Sequence, residues 1–247
     1  MSQNKNRIAV KSELKFIKSL KLKKNRVKEN MFIVEGLKNV LELLNSDFKV
    51  LEVYSTDEYT HYFKKISYKV ISPAQLTQIS TLSNNQSCLA LARCKDLSSY
   101  EDSLDHWTIV LDGISDPGNL GTIIRALDWF GFNYVICSNS CADFYNPKAI
   151  SASMGSFARI NAFYMDIVPF LKTFEGDIYG LDLEGQPLDK FKNANRAAFV
   201  LGSESHGISD AIKVLLKDNL TIKKYGQAES LNVAMATNIL LYHLRSF

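Results

Sequence analysis

Short apolar runs alternate with amphipathic stretches along the chain, and the spacing of the two predicts its elements. In ELKFIKSLKLK, Leu14, Ile17 and Leu20 recur at helical intervals, which predicts a helix from Ser12, its cap, to about Lys24. The runs MFIV (31–34), KVLEVY (49–54), YKVI (68–71) and CLALAR (88–93) predict strands, with helices over Leu37–Leu44 and after Pro73. Together they form a small α/β domain. The stretch KDLSSYEDSLDH is polar and aperiodic and reads as a connection, which sets domains at 1–97 and 107–247 with a linker at 98–106.

The second half alternates more strongly. WTIVLD (107–112), YVIC (134–137), INAFY (160–164), DIYGLDL (177–183) and AAFVLG (197–202) predict strands. Helices are expected near 119–130 and 147–154 and over a terminal stretch within 229–244. Strands and helices at this spacing predict an α/β fold with a mostly parallel sheet covered on both faces.

Composition changes this picture in one place. The net charge is only +3, but residues 1–29 carry ten Lys/Arg against Glu13 and Glu29, a local balance of +8. Lys11, Lys15 and Lys18 share a helix face opposite the apolar one, and Lys24 and Arg26 follow. Read alone, that face is a solvated one; as a block it is also an electrostatic footprint for phosphate. No apolar run reaches the roughly 18 residues of a membrane span, and the lysine-rich start lacks a secretory pattern, so a cytoplasmic protein without membrane insertion is expected. Cys88, Cys94, Cys137 and Cys141 show neither CxxC nor zinc spacing, so reduced thiols and no metal are expected.

Three segments could carry chemistry. LDGISDPGNLGTIIRAL (111–127) runs from a strand through a turn into a helix, exposing Asn119 near the helix N-terminus and Arg125 off its apolar stripe. AAFVLGSESHGIS (197–209) sets Glu204 between Gly202 and Gly207, where it could cap the next helix or face a site. In ESLNVAMATNILLYHL (229–244), Ser230 or Asn232 could cap the last helix. Each alone occurs in many proteins, and GxGxxG with a later acidic residue is missing, which disfavours a dehydrogenase.

In this order, the three segments resemble the motifs of the SpoU-type RNA ribose 2′-O-methyltransferases of the SPOUT superfamily. Asn119, Gly121 and Arg125 match the first motif, Gly202, Glu204 and Gly207 the second, and Ser230–Val233 the third. SASMGS (151–156) is similar to the intervening segment, and the basic front with FIVEGLKNVLELL (32–44) resembles the substrate-binding domain that often precedes this one. Two departures stand out: Lys223-Lys224 occupy places where Pro and Met are common, and Ser205 one where glycine is frequent.

The resemblance implies a C-terminal trefoil knot, a homodimer, and S-adenosylmethionine bound by Gly202, Ile222, Ser230 and Leu231. It implies methyl transfer to a ribose hydroxyl by Asn119, Arg125, Glu204 and Asn232, with Asn119 and Glu204 orienting Arg125. Because guanidinium is a poor base, Arg125 is expected to stabilise the developing alkoxide rather than abstract the proton. RNA would be gripped by Lys11, Lys15, Lys18, Lys24 and Arg26. Ribosomal RNA is the favoured substrate, with transfer RNA and a non-catalytic RNA-binding role as alternatives.

Overall fold

A computed structural model of the chain describes residues 7–82, 84–97, 107–192 and 195–246. Its contacts fall into two units, Met1–Asp96 with Asp143–Ala158, and Leu97–Ala142 with Arg159–Phe247. The expected linker at 98–106 lies outside the described residues.

The first unit begins with β1 (Arg7–Ile8), α1 (Lys11–Ser19) and α2 (Lys23–Glu29). The helix expected over 12–24 is thus two helices, and Val10 rather than Ser12 occupies the N-cap, with its N–H donating to Glu13 Oε2 at 3.1 Å. The break after α1 is stabilised by side chains of α2. Asn25 Nδ2 donates to Ser19 O at 2.8 Å, and Arg26 Nη1 donates to the carbonyls of Leu20 and Lys21 at 2.8 Å each. These bonds satisfy carbonyls that a helix end leaves open.

Then follow β2 (Met31–Glu35), α3 (Leu37–Leu44), β3 (Val50–Ser55), β4 (Lys69–Val70), α4 (Pro73–Ile79) and β5 (Cys88–Arg93). Ser72 and Gln75 close a reciprocal capping box at the start of α4. The sheet order is β1-β4-β3-β5-β2, with β5 antiparallel to both β2 and β3. Leu14, Ile17 and Leu20 pack on one face with Ile33, Leu76, Ile79 and Leu89. Each such burial contributes about 1.5–3 kcal/mol.

The second unit contains β6 (Trp107–Asp112), α5 (Pro117–Trp129) and β7 (Tyr134–Ser138). After β7 the chain makes α6 (Pro147–Ala152), which belongs to the first unit, and returns with β8 (Asn161–Met165). It continues through α7 (Ile167–Thr173), β9 (Asp177–Pro187), β10 (Ala197–Gly202), α8 (Asp210–Lys213), β11 (Asp218–Thr221) and α9 (Val233–Arg245). The six strands lie in the order β11-β9-β10-β6-β7-β8, and every paired neighbour is parallel. From β6 the chain builds outward through β7 and β8 on one side, while β10, β9 and β11 fill the other. The carboxyl ends of β6 and β10 therefore flank a switch in strand order, the usual place for a ligand crevice in such sheets.

The excursion 143–158 departs from the expected domain at 107–247. Its aromatic residues explain the attachment: Tyr145 lies 4.5 Å from Phe32 between ring centroids, and Phe157 lies 6.1 Å from Phe48. Asp143 pairs with Arg26. The segment SASMGS of the sequence motif is thereby part of the first unit.

Candidate functional site

Three loops at the carboxyl ends of β6 and β10 and before α9 bring the predicted polar residues together. Asp116 caps α5, its Oδ1 accepting from the N–H groups of Gly118 at 2.7 Å and Asn119 at 2.9 Å, while Pro117 occupies the first turn. This fixes Asn119 at the helix entrance with its amide turned outward. After β10, Ser203 and Gly207 exchange backbone hydrogen bonds of 3.1 and 2.8 Å, forming a tight turn that carries Glu204. Gly207 adopts φ +66°, and a Cβ on Gly202 would stand 2.1 Å from the carbonyl carbon of Gly207, so only glycine fits at 202. Asp112 steadies the far side of the turn, its Oδ2 accepting from Ser209 N–H at 2.8 Å.

Asn232 rather than Ser230 caps α9, its Oδ1 accepting from Ala234 N–H at 3.0 Å. Its amide Nδ2 donates to Glu204 Oε1 at 2.7 Å and to Asn119 Oδ1 at 2.9 Å. Asn119 Nδ2 closes the ring by donating to the same Glu204 oxygen at 3.0 Å. Val233 N–H adds a longer bond of 3.4 Å to it. The carboxylate thus sits at the N-terminus of α9, where the helix dipole favours negative charge, and caps that helix rather than the one following it in sequence.

Beside this ring lies a cavity of about 550 Å³. All four residues expected to hold a cofactor, Gly202, Ile222, Ser230 and Leu231, line it, as does Glu204. Leu181, Leu183 and Leu201 supply apolar wall, and the charged lining is mixed, Asp182, Glu204 and Glu229 against Lys213, Lys223 and Lys224. The dimensions and mixed lining suit a nucleoside-sized ligand. The apolar wall contributed by β9 was not signalled by any motif, whereas the Asp116-Pro117-Gly118 turn was legible as a cap.

Arg125 is exposed on α5 and, among the described residues, makes no hydrogen bond or ion pair. Asn119 and Glu204 bond each other and Asn232, not Arg125, contrary to the expectation that they orient it. Six residues apart on a helix, Arg125 stands about 9 Å further along and on a different face from Asn119.

In the first unit Lys11, Lys15, Lys18 and Lys24 are exposed, and none forms an ion pair among the described residues. Arg26 is different and is removed from the RNA-facing set. It is 2% exposed, its Nε and Nη2 donate to Asp143 Oδ2 at 2.9 and 2.5 Å, and its Nη1 holds the carbonyls that end α1. With its donors committed inward, it cannot reach a phosphate.

Comparison with known proteins gives concordant matches. Residues 106–242 match the family model described as the SpoU rRNA Methylase family, and residues 11–90 match that of the MRM3-like substrate binding domain. A 23S rRNA (guanosine(2553)-2′-O)-methyltransferase of Bacillus subtilis is 30% identical over 244 residues, covering 96% of this chain and 97% of that protein. A solved Porphyromonas gingivalis protein of the TrmH family superposes with a TM-score of 0.86 at 33% identity, covering 97% of this chain and 99% of the other. An rRNA methyltransferase from Sinorhizobium meliloti, solved with AdoMet bound, superposes with a TM-score of 0.85 over 98% of this chain and 97% of its own. At 22% identity, that likeness is one of fold.

Proposed function

The chain belongs to the SpoU rRNA methylase family, and from this we infer that it is an S-adenosylmethionine-dependent enzyme that methylates a ribose 2′-hydroxyl of ribosomal RNA. The observation that carries the reading is the ring of Asn119, Glu204 and Asn232 at the mouth of the cavity. The cavity fits the cofactor: its glycine-only backbone approach at Gly202 leaves room beside the turn, its leucines offer an apolar wall, and Asp182, Glu204 and Glu229 can face the cationic groups. Gly202, Ile222, Ser230 and Leu231 would hold it. Bound there, S-adenosylmethionine supplies an electrophilic methyl group on a sulfonium.

The residues of the chain do the rest. The Asn119–Glu204–Asn232 ring is pre-assembled, so it can present amide and carboxylate groups to a ribose without reorganising. Such positioning can contribute about 7–11 kcal/mol at its best. Arg125, with its guanidinium unengaged by the ring, would donate to the phosphate beside the target ribose and stabilise charge developing on the 2′-oxygen. Arg125 acts electrostatically, since a guanidinium is a poor base.

The first unit serves as the RNA substrate-binding domain, with Lys11, Lys15, Lys18 and Lys24 contacting phosphates. The second serves as the catalytic domain, its segment before α9 forming a trefoil knot. Met235, Ile239 and Tyr242, all exposed along one face of α9, support a homodimer through that helix. Among the described residues no helix is long and apolar enough to cross a membrane, and the likeness to a Bacillus subtilis 23S rRNA methyltransferase supports a cytoplasmic enzyme.

Incubation with radiolabelled S-adenosylmethionine and separate pools of unmodified ribosomal and transfer RNA tests the reading. Label in ribosomal RNA is expected; label confined to transfer RNA would move the substrate assignment, and none in either would refute the activity.

A further inference from the structure

Three consecutive exposed residues, Lys223, Lys224 and Tyr225, line the cofactor cavity beyond Ile222 and have no role in the reading above. Tyr225 is 86% exposed, an unusual position for an aromatic ring, and Lys223 Nζ stands 5.1 Å from its centroid. Neither lysine forms an ion pair among the described residues.

Charge separates the two ligands that meet here. S-adenosylmethionine carries a sulfonium and an ammonium against one carboxylate, a net cation, and a pair of unneutralised ammonium groups at the rim opposes its approach. RNA has the opposite requirement. Its phosphates draw ammonium groups, and its unstacked bases lie on exposed aromatic faces. A cation already over the Tyr225 ring keeps that ring and a phosphate-binding charge in one place. Glu204 of the polar ring lines the same cavity as these three residues.

We propose that Lys223, Lys224 and Tyr225 form a clamp for the target nucleotide, with Tyr225 stacking on its base or on the adjoining one and the lysines binding the flanking phosphates. The clamp rests on the functional reading above and adds to it a site for single-stranded RNA contributed by the catalytic unit itself.

The test compares the parent with Lys223→Ala/Lys224→Ala, Tyr225→Ala and Tyr225→Phe on in-vitro-transcribed 23S rRNA. It reads the KM for RNA and RNA affinity by filter binding at several salt concentrations, and cofactor affinity by calorimetry. Because these side chains are exposed, unchanged thermal unfolding is expected to accompany every variant. Tyr225→Ala should raise the KM for RNA about ten-fold, with Tyr225→Phe close to the parent. The double lysine variant should lower the slope of log affinity against log salt by about 1.4, as two lost phosphate contacts require. Cofactor affinity should stay within about two-fold in the Tyr225 variants and should rise, not fall, in the double lysine variant, which loses two like charges. Unchanged RNA parameters, or cofactor affinity falling as far as RNA affinity, would overturn the clamp. A parent that methylates no RNA would instead refute the functional reading.

Discussion

Arg26 on α2 and Arg125 on α5, one in each unit, end in opposite environments. Arg26 is buried, paired with Asp143 and bonded to two carbonyls at the end of α1. Arg125 is exposed and engages none of the described residues. The same side chain is structural where a carboxylate and open carbonyls converge on it, and available for chemistry where the fold leaves its five donors to a ligand. The polar ring before α9 shows the same division at finer scale: Asn119, Glu204 and Asn232 hold one another, and Arg125 stands apart from them.

Substitutions can break this contrast. Arg26→Ala should have the largest effect, lowering stability by about 3–5 kcal/mol, because it strands the Asp143 carboxylate and two carbonyls. Thermal or denaturant unfolding reads the loss directly, and cofactor affinity measured below the transition should be unchanged. Arg125→Ala should leave the unfolding curve where it was and cut methyl transfer by about 10²–10³-fold, with S-adenosylmethionine still bound by calorimetry. Were the two phenotypes exchanged, the division of roles would be wrong.

Smaller effects sharpen the frame around Arg125. Gly202→Ala forces a Cβ against the Gly207 backbone, and the resulting strain of about 1–3 kcal/mol should appear as weaker cofactor binding. Asn119→Ala removes one of the donors to Glu204 and should lower kcat by about ten-fold at most, since Asn232 and Val233 keep the carboxylate in place. Least of all, Lys11→Ala, Lys15→Ala and Lys18→Ala should each weaken RNA binding only a few-fold, more at low salt than at high, as phosphate contacts do.

Much of this was legible in the chain. The period of the apolar residues predicts α3 at Leu37–Leu44 and β6 at Trp107–Asp112 with their observed bounds, because local pattern and tertiary burial agree there. The helix over 12–24 splits in two because Asn25 and Arg26 compete for the carbonyls after Ser19, an interaction that helical spacing does not encode. β11, four residues long and mostly polar, has no pattern of its own and exists through its pairing with β9. The burial of Arg26 depends on Asp143, 117 residues away, and the attachment of 143–158 to the first unit depends on aromatic contacts equally distant in sequence. Site residues were readable where they sit in motifs and unreadable in their partnerships. Nothing in the sequence said that Asn119 and Glu204 would bond Asn232 and leave Arg125 aside.

The central claim, methyl transfer to a ribose oxygen of ribosomal RNA, is tested most directly by locating the transferred group. After reaction of 23S rRNA with labelled S-adenosylmethionine, nuclease digestion and mass spectrometry should find a single 2′-O-methylated nucleoside. A substrate carrying 2′-deoxyribose at that position should accept no label. Label on a base, or equal label on the deoxy substrate, would contradict the account.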